Sequence, residues 1–135
     1  PIASGECSIA LTNTYYLARL MRSDNPEDKA VMAKVGVVFP NQSTWGTHVN
    51  IAGAAVARHA KNREAAAKFI EYLASDAAQV YFADGNNEWP AVPGVKLANP
   101  ALATLGDFKS ETIPVSVVGM NQVKIQQMLD RVGYK

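Results

Sequence analysis

A chain of 135 residues is long enough for one domain with a hydrophobic core, and 48% hydrophobic with 19% charged residues is the mix of a globular protein. The formal net charge of +1 leaves no basic field to hold nucleic acid, and no apolar stretch reaches the length of a membrane span. Cys7 is the only cysteine, which excludes an internal disulfide and a thiolate metal cluster.

The opening "PIASGECSIAL" already reads as the interior of a fold, and we expect further residues before it. "ECSIALTN" alternates Cys7, Ile9 and Leu11 against Ser8, Ala10 and Thr12, the pattern of a half-buried strand, with Cys7 a small buried hydrophobe rather than a reactive thiol. A helix follows through "YYLARLMR". "SDNPEDKAVMAKV" starts another, with Pro26 in the first turn and Glu27 and Asp28 where the helix dipole favours acids. "VGVVFP" reads as a short buried strand stopped by proline. After the polar "NQSTWGTHVN", the small residues of "IAGAAVARHA" suit a strand against a helix, or a crossover.

"KNREAAAKFIEYLASDAAQVYFADG" carries the clearest helix signals. Asn62 is a cap candidate, and Ala66, Phe69, Ile70 and Leu73 recur at helical spacing. Ser75 starts a second helix as its N-cap, with Asp76 in the first turn and Gly85 as the stop. "NNEWPAVPGVKLANP" reads as an irregular, proline-rich loop. The chain closes on a helix with Ile125, Met128, Leu129 and Val132 on one face and Gly133 at its end. Strands interleaved with helices make the class α/β.

Tyr15 and Tyr16 pose the chemical question. A phenol is neutral near pH 7, but a strong Lewis acid displaces its proton, and phenolate is a hard, anionic donor suited to ferric iron. Neighbouring residues in a helix point about 100° apart, and in a strand to opposite faces. We therefore expect such a pair to converge on one ion only at an irregular junction, and the strand-to-helix turn here is one. Aromatic packing is the common use of such a pair, and metal binding the rarer one. Asn13 and Thr14 precede it at a helix N-terminus, where they suit either an anion or ordinary capping. His48 and His59 have no second ligand at metal spacing. His48 reads as a hydrogen-bonded structural histidine and His59 as a surface one. Glu88 and Trp89 read as loop packing. The chain contains no glycine-rich phosphate loop, nucleophile elbow or HExxH.

"CSIALTNTYYLARL", "FPNQSTWGTHVNIAGAAVARHAKNREAAAKFIEYLASDAAQVYFADGNNEWPAVPGV" and the closing helix resemble the C-terminal half of the periplasmic ferric-ion-binding proteins, the substrate-binding components of iron-delivering ABC transporters. The resemblance covers nearly the whole chain. Its most specific part is "NTYY", supported by "GTHVNIAGAAVARHA" and "NNEWPAVPGV" in order. It implies a type II periplasmic-binding-protein-like fold, α/β in class, of which this chain is a C-terminal fragment. In that fold two lobes close on Fe(III) like a hinged trap.

The resemblance carries Tyr15 and Tyr16 onto the iron-binding phenolates and Asn13 onto a residue near the accompanying synergistic anion. It implies a second-lobe segment over 1–45, a crossover and first-lobe segment over 46–96, and a return to the second lobe over 97–135. Gly46, Thr47 and His48 would mark the hinge. Two phenolates do not fill a ferric coordination shell. The resemblance therefore implies a missing N-terminal half with further ligands, such as a histidine, an acid, an arginine or another tyrosine. It implies no enzymatic activity, a monomer when full length, and delivery to an inner-membrane permease. The location would be the periplasm, or the outer surface by a lipid anchor in a Gram-positive organism. Three other readings stand beside it. One is a binding protein of the same fold for an organic cation or an oxyanion; another is an enzyme on this scaffold; the third is an interaction module whose tyrosines are core.

Overall fold

In the computed structural model, residues 1–134 are described, and their regular structure is helical: α1 (Thr14–Met21), α2 (Pro26–Met32), α3 (Arg63–Leu73), α4 (Asp76–Asn86), α5 (Pro100–Leu105) and α6 (Val115–Arg131). They fall into two compact units. The first comprises Pro1–Val38 and Asn50–Asp107, the second Phe39–Val49 and the residues from Phe108 on. The chain thus passes between units at 38/39, 49/50 and 107/108.

In the first unit α1 packs on α2 and α5, and α3 on α4. Ala18, Ala101 and Leu102 form the buried centre, with Met21, Trp89 and Leu105 against it. Trp89 is thus loop packing, as its position in the proline-rich segment indicated. Caps start the helices. Asn25 accepts from the Glu27 N–H at 2.9 Å ahead of Pro26, and Ser75 Oγ accepts from the Ala78 N–H at 3.3 Å. Asn62 stands at the N-cap of α3 but makes no side-chain cap bond.

The α4 helix does not stop at Gly85. It runs to Asn86 and is closed by Asn87 in the left-handed region at φ 59°, a conformation asparagine tolerates because its short amide bonds locally. The segment read as an irregular, proline-rich loop has no helix or strand between Asn87 and Asn99, and its last residue, Pro100, opens α5. Asn99 Oδ1 accepts from the Ala101 and Leu102 amides at 3.0 and 3.3 Å, and Pro100 supplies a pre-set φ. Buried polar groups tie these helices together. Asn99 Nδ2 donates to the Ala83 carbonyl at 2.8 Å and to Asn87 Oδ1 at 2.9 Å, and Arg22 donates to the same Asn87 oxygen at 2.8 Å.

In the second unit Thr47 pairs with Ser110 in a parallel bridge. The Thr47 N–H donates to Lys109 O at 2.8 Å and the Glu111 N–H to Thr47 O at 2.9 Å. The Gln42 side chain grips the same strip, donating to Lys109 O at 3.0 Å and accepting from its N–H at 2.7 Å. Phe39 stacks on Phe108 with centroids 4.4 Å apart. Helix α6 ends at Arg131. Gly133 at φ 68° and Tyr134 bond back to Asp130 O at 3.2 Å and Leu129 O at 3.0 Å, the Schellman closure.

The expected strands do not form among the described residues. Ile9 and Leu11 are 85% and 89% exposed, Cys7 is exposed rather than buried, and Val38 in "VGVVFP" is open to solvent. Alternation selects a face, but a strand exists only when a neighbour completes its ladder, and no described segment forms a ladder with these. The apolar face of α6 is likewise uncovered at Ile125, Met128 and Val132.

Candidate metal centre

The path leading to α1 is set by Asn13, whose backbone is extended (φ −78°, ψ 143°) before the helix begins at Thr14. Tyr15 and Tyr16 are thus the second and third residues of a regular helix, not part of an irregular junction. They converge nonetheless: the ring centroids lie 4.4 Å apart with planes inclined by 45°. Side chains on adjacent helical positions leave the axis about 100° apart, yet a phenol extends far enough beyond Cβ for its rotamer to close that gap.

The two hydroxyls interact. The hydrogen bond to Tyr15 favours the protonated form of Tyr16 and is the main reason its pKa stands above the ordinary phenol value. Charge repulsion from Tyr15 and desolvation act in the same direction, and the Arg19 cation, one turn along, opposes them. Tyr15 is half-buried, whereas Tyr16 is 52% exposed.

Asn13 does not cap α1 with its side chain. Its Nδ2 donates instead to the Tyr15 hydroxyl at 3.0 Å. Thr14 is the first helical residue and half-buried. Leu11, Thr12, Asn13 and Tyr16 line an open cleft of about 350 Å³. Asn13 is thus hydrogen-bonded to Tyr15, Tyr15 is in ring contact with Tyr16, and Asn13 and Tyr16 border a solvent-accessible space, so two hard phenol oxygens are carried by neighbouring rings. Such an arrangement suits a highly charged, oxygen-seeking cation. The described residues contain no group of three or more His, Cys, Asp or Glu side chains able to hold a metal. Arg19 and the lining residues Leu11 and Thr12 escaped the sequence reading. The three-residue spacing from Tyr16 to Arg19 was the available signal for the first.

Gly46, Thr47 and His48 lie in the second unit. Gly46 is buried at φ 100°, and a Cβ there would stand 2.7 Å from Lys109 O, Ser110 C and Ser110 O, so only glycine lets the two strips approach. His48 Nδ1 pairs with the Glu111 carboxylate, the hydrogen-bonded role expected of it, and His59 is exposed.

Residues 1–110 match the family described as bacterial extracellular solute-binding protein. Iron uptake protein A2 of Synechocystis sp. (strain ATCC 27184 / PCC 6803 / Kazusa) is 46% identical over 136 residues, which cover 99% of this chain and 39% of that protein. A Trichodesmium protein solved in complex with iron and citrate superposes with a TM-score of 0.92 at 51% identity, covering 99% of this chain and 42% of the other. The ferric binding protein from Campylobacter jejuni gives a TM-score of 0.90 at 38% identity, covering 99% and 42% respectively. This chain therefore spans about 40% of the length of these relatives. The fold it shares with them is the type II periplasmic-binding-protein-like fold, α/β in class, and the match is consistent with its C-terminal part. By its matched residues and its relatives, the chain belongs to the bacterial extracellular solute-binding protein family.

Proposed function

We propose that this chain is the part of an iron ABC transporter's substrate-binding protein that supplies the tyrosine ligands for Fe(III). The observation that carries the reading is the convergence of Tyr15 and Tyr16 beside an open cleft, in a chain whose relatives are named for iron uptake and ferric binding. Iron is cargo here, not a resident cofactor, and no catalytic step is assigned. On binding, both phenols lose their protons and the anionic oxygens offset the cation's charge. Asn13 and Thr14 sit where a synergistic anion would complete the shell, together with ligands from the rest of a relatives-length chain. The segment 46–96 would belong to the first lobe and the flanking segments to the second, with Gly46, Thr47 and His48 at the crossing. Lobe closure would exclude water, and docking on the permease in the periplasm or at the outer cell surface would favour opening and release.

The rival within the fold is a site for an organic cation or an oxyanion, with the rings serving as a stacking platform. Iron content after incubation with ferric nitrilotriacetate and desalting separates the two. Tyr15→Phe keeps a ring to stack but has no oxygen to bind iron. Loss of iron in Tyr15→Phe and in Tyr16→Phe supports ligation, and undiminished iron in both variants refutes it.

A further inference from the structure

We infer that Asn13 is a positioning residue for the Tyr15 ligand: its amide N–H, donated to the phenol oxygen, orients that oxygen and tunes its donor strength toward ferric iron. The inference rests on the reading of Tyr15 as an iron ligand and adds a second residue that acts through it.

Three observations carry it. Asparagine stands before four described helices, and at three of them, α1, α2 and α5, its backbone is extended, whereas Asn62 before α3 lies elsewhere at φ −112° and ψ 61°. Of the extended three, two use the side chain as a cap: Asn25 bonds the Glu27 amide and Asn99 the Ala101 and Leu102 amides. Asn13 occupies the same position before α1 with the same extended backbone, yet makes no cap bond. Its side chain turns instead to Tyr15, with Nδ2 3.0 Å from the hydroxyl. The contact also survives ionisation. A phenolate oxygen only accepts, so against it the amide must present its N–H, and a hydrogen bond to a charged oxygen is the stronger kind. Finally, Tyr15 is the shared partner in this group, meeting Asn13 through its hydroxyl and Tyr16 through its ring. Orienting the Tyr15 phenol therefore bears on the ring contact with Tyr16 as well.

The chemical consequence is specific. A donor on the phenolate oxygen lowers the energy of its lone pairs. The gap to the ferric d orbitals widens, and the phenolate-to-iron charge-transfer band moves to shorter wavelength. Removing the donor moves the band back. A residue that merely supported α1 would alter iron affinity without moving the band.

The test is a titration with ferric nitrilotriacetate followed by visible absorbance. It uses the 135-residue chain and a hybrid in which residues 1–135 replace the matching part of the Synechocystis iron uptake protein A2. Asn13→Leu removes the donor at similar size, and Asn13→Gln keeps an amide on a longer arm. The expected result is a longer-wavelength band and about tenfold weaker binding in Asn13→Leu, the loss of one partly hydrated hydrogen bond to a charged oxygen. Asn13→Gln should stay nearer the unsubstituted protein. An unmoved band in Asn13→Leu overturns the inference even if affinity falls, and so does an equal displacement in both variants, which would assign the effect to packing. Absence of any band in the unsubstituted chain and hybrid overturns the ferric reading itself, and this inference with it.

Discussion

Replacing Asn99 by alanine should cost far more than the loss of a helix cap. Asn99 is 2% exposed and uses both ends of its amide. Oδ1 accepts from the Ala101 and Leu102 amides at the start of α5, and Nδ2 donates to the Ala83 carbonyl and to Asn87 Oδ1. The cap alone is worth about 1 kcal/mol. The Ala83 carbonyl, on a residue 1% exposed, would lose this donor with little water to replace it, which costs about 1–2 kcal/mol more. Asn87 Oδ1 keeps its bond from Arg22, so its share is smaller. The total is about 2–3 kcal/mol. With a urea slope of about 1–1.5 kcal/mol/M, the unfolding midpoint followed by far-UV circular dichroism should fall by about 2 M. Asn99→Asp sharpens the test. Aspartate caps helices as well as asparagine does, but here its second oxygen would face the Ala83 carbonyl and the Asn87 oxygen. We expect it to destabilise at least as much as alanine. An Asn99→Asp midpoint equal to that of the unsubstituted chain would refute the claim that the donor side of this amide holds α4 against α5.

Gly46→Ala introduces a Cβ 2.7 Å from backbone atoms of Lys109 and Ser110 at φ 100°, and should cost about 3 kcal/mol. Amide hydrogen exchange should show the Thr47 and Glu111 N–H groups losing protection, and unchanged protection would contradict the close approach. Ser75→Ala removes the α4 cap and should lower stability by about 1 kcal/mol in the same urea assay, with Ser75→Asp near neutral. Iron binding should weaken as pH falls. The Tyr16 pKa is raised, so at neutral pH that phenol is protonated and the metal must displace its proton. With one proton released per tyrosine, log affinity should rise with pH at a slope of about two below the phenol range, measured by competition with a chelator whose own protonation is known. A slope near zero would mean the phenols stay protonated.

Local signals in this sequence were legible where they are complete within a few residues. Pro26 opens α2 with Glu27 and Asp28 in its first turn, and Ser75 caps α4 before Asp76, as their spacing indicates. The α4 stop was misplaced because Gly85 drew attention from Asn87, which adopts the same left-handed region. The cap-and-proline start of α5 at Asn99 and Pro100 was present, but the surrounding prolines hid it. The strand pattern of Cys7, Ile9 and Leu11 describes a preference for one face, and a ladder needs a neighbour distant in sequence, so alternation alone did not produce a strand here. At the candidate site the tyrosine pair could be read directly. Its geometry could not, because convergence depends on rotamers inside a regular helix and on a side-chain bond from Asn13.

The central claim is that Tyr15 and Tyr16 are phenolate ligands of ferric iron. The most direct measurement is the visible spectrum during addition of ferric nitrilotriacetate to the chain and to the hybrid, each with both tyrosines, with either one replaced by phenylalanine, and with both replaced. The account predicts a saturable phenolate-to-iron charge-transfer band at one iron per molecule, weakened by either substitution and abolished when both are made. A band that persists with both phenylalanines, or no band in any protein, would contradict it.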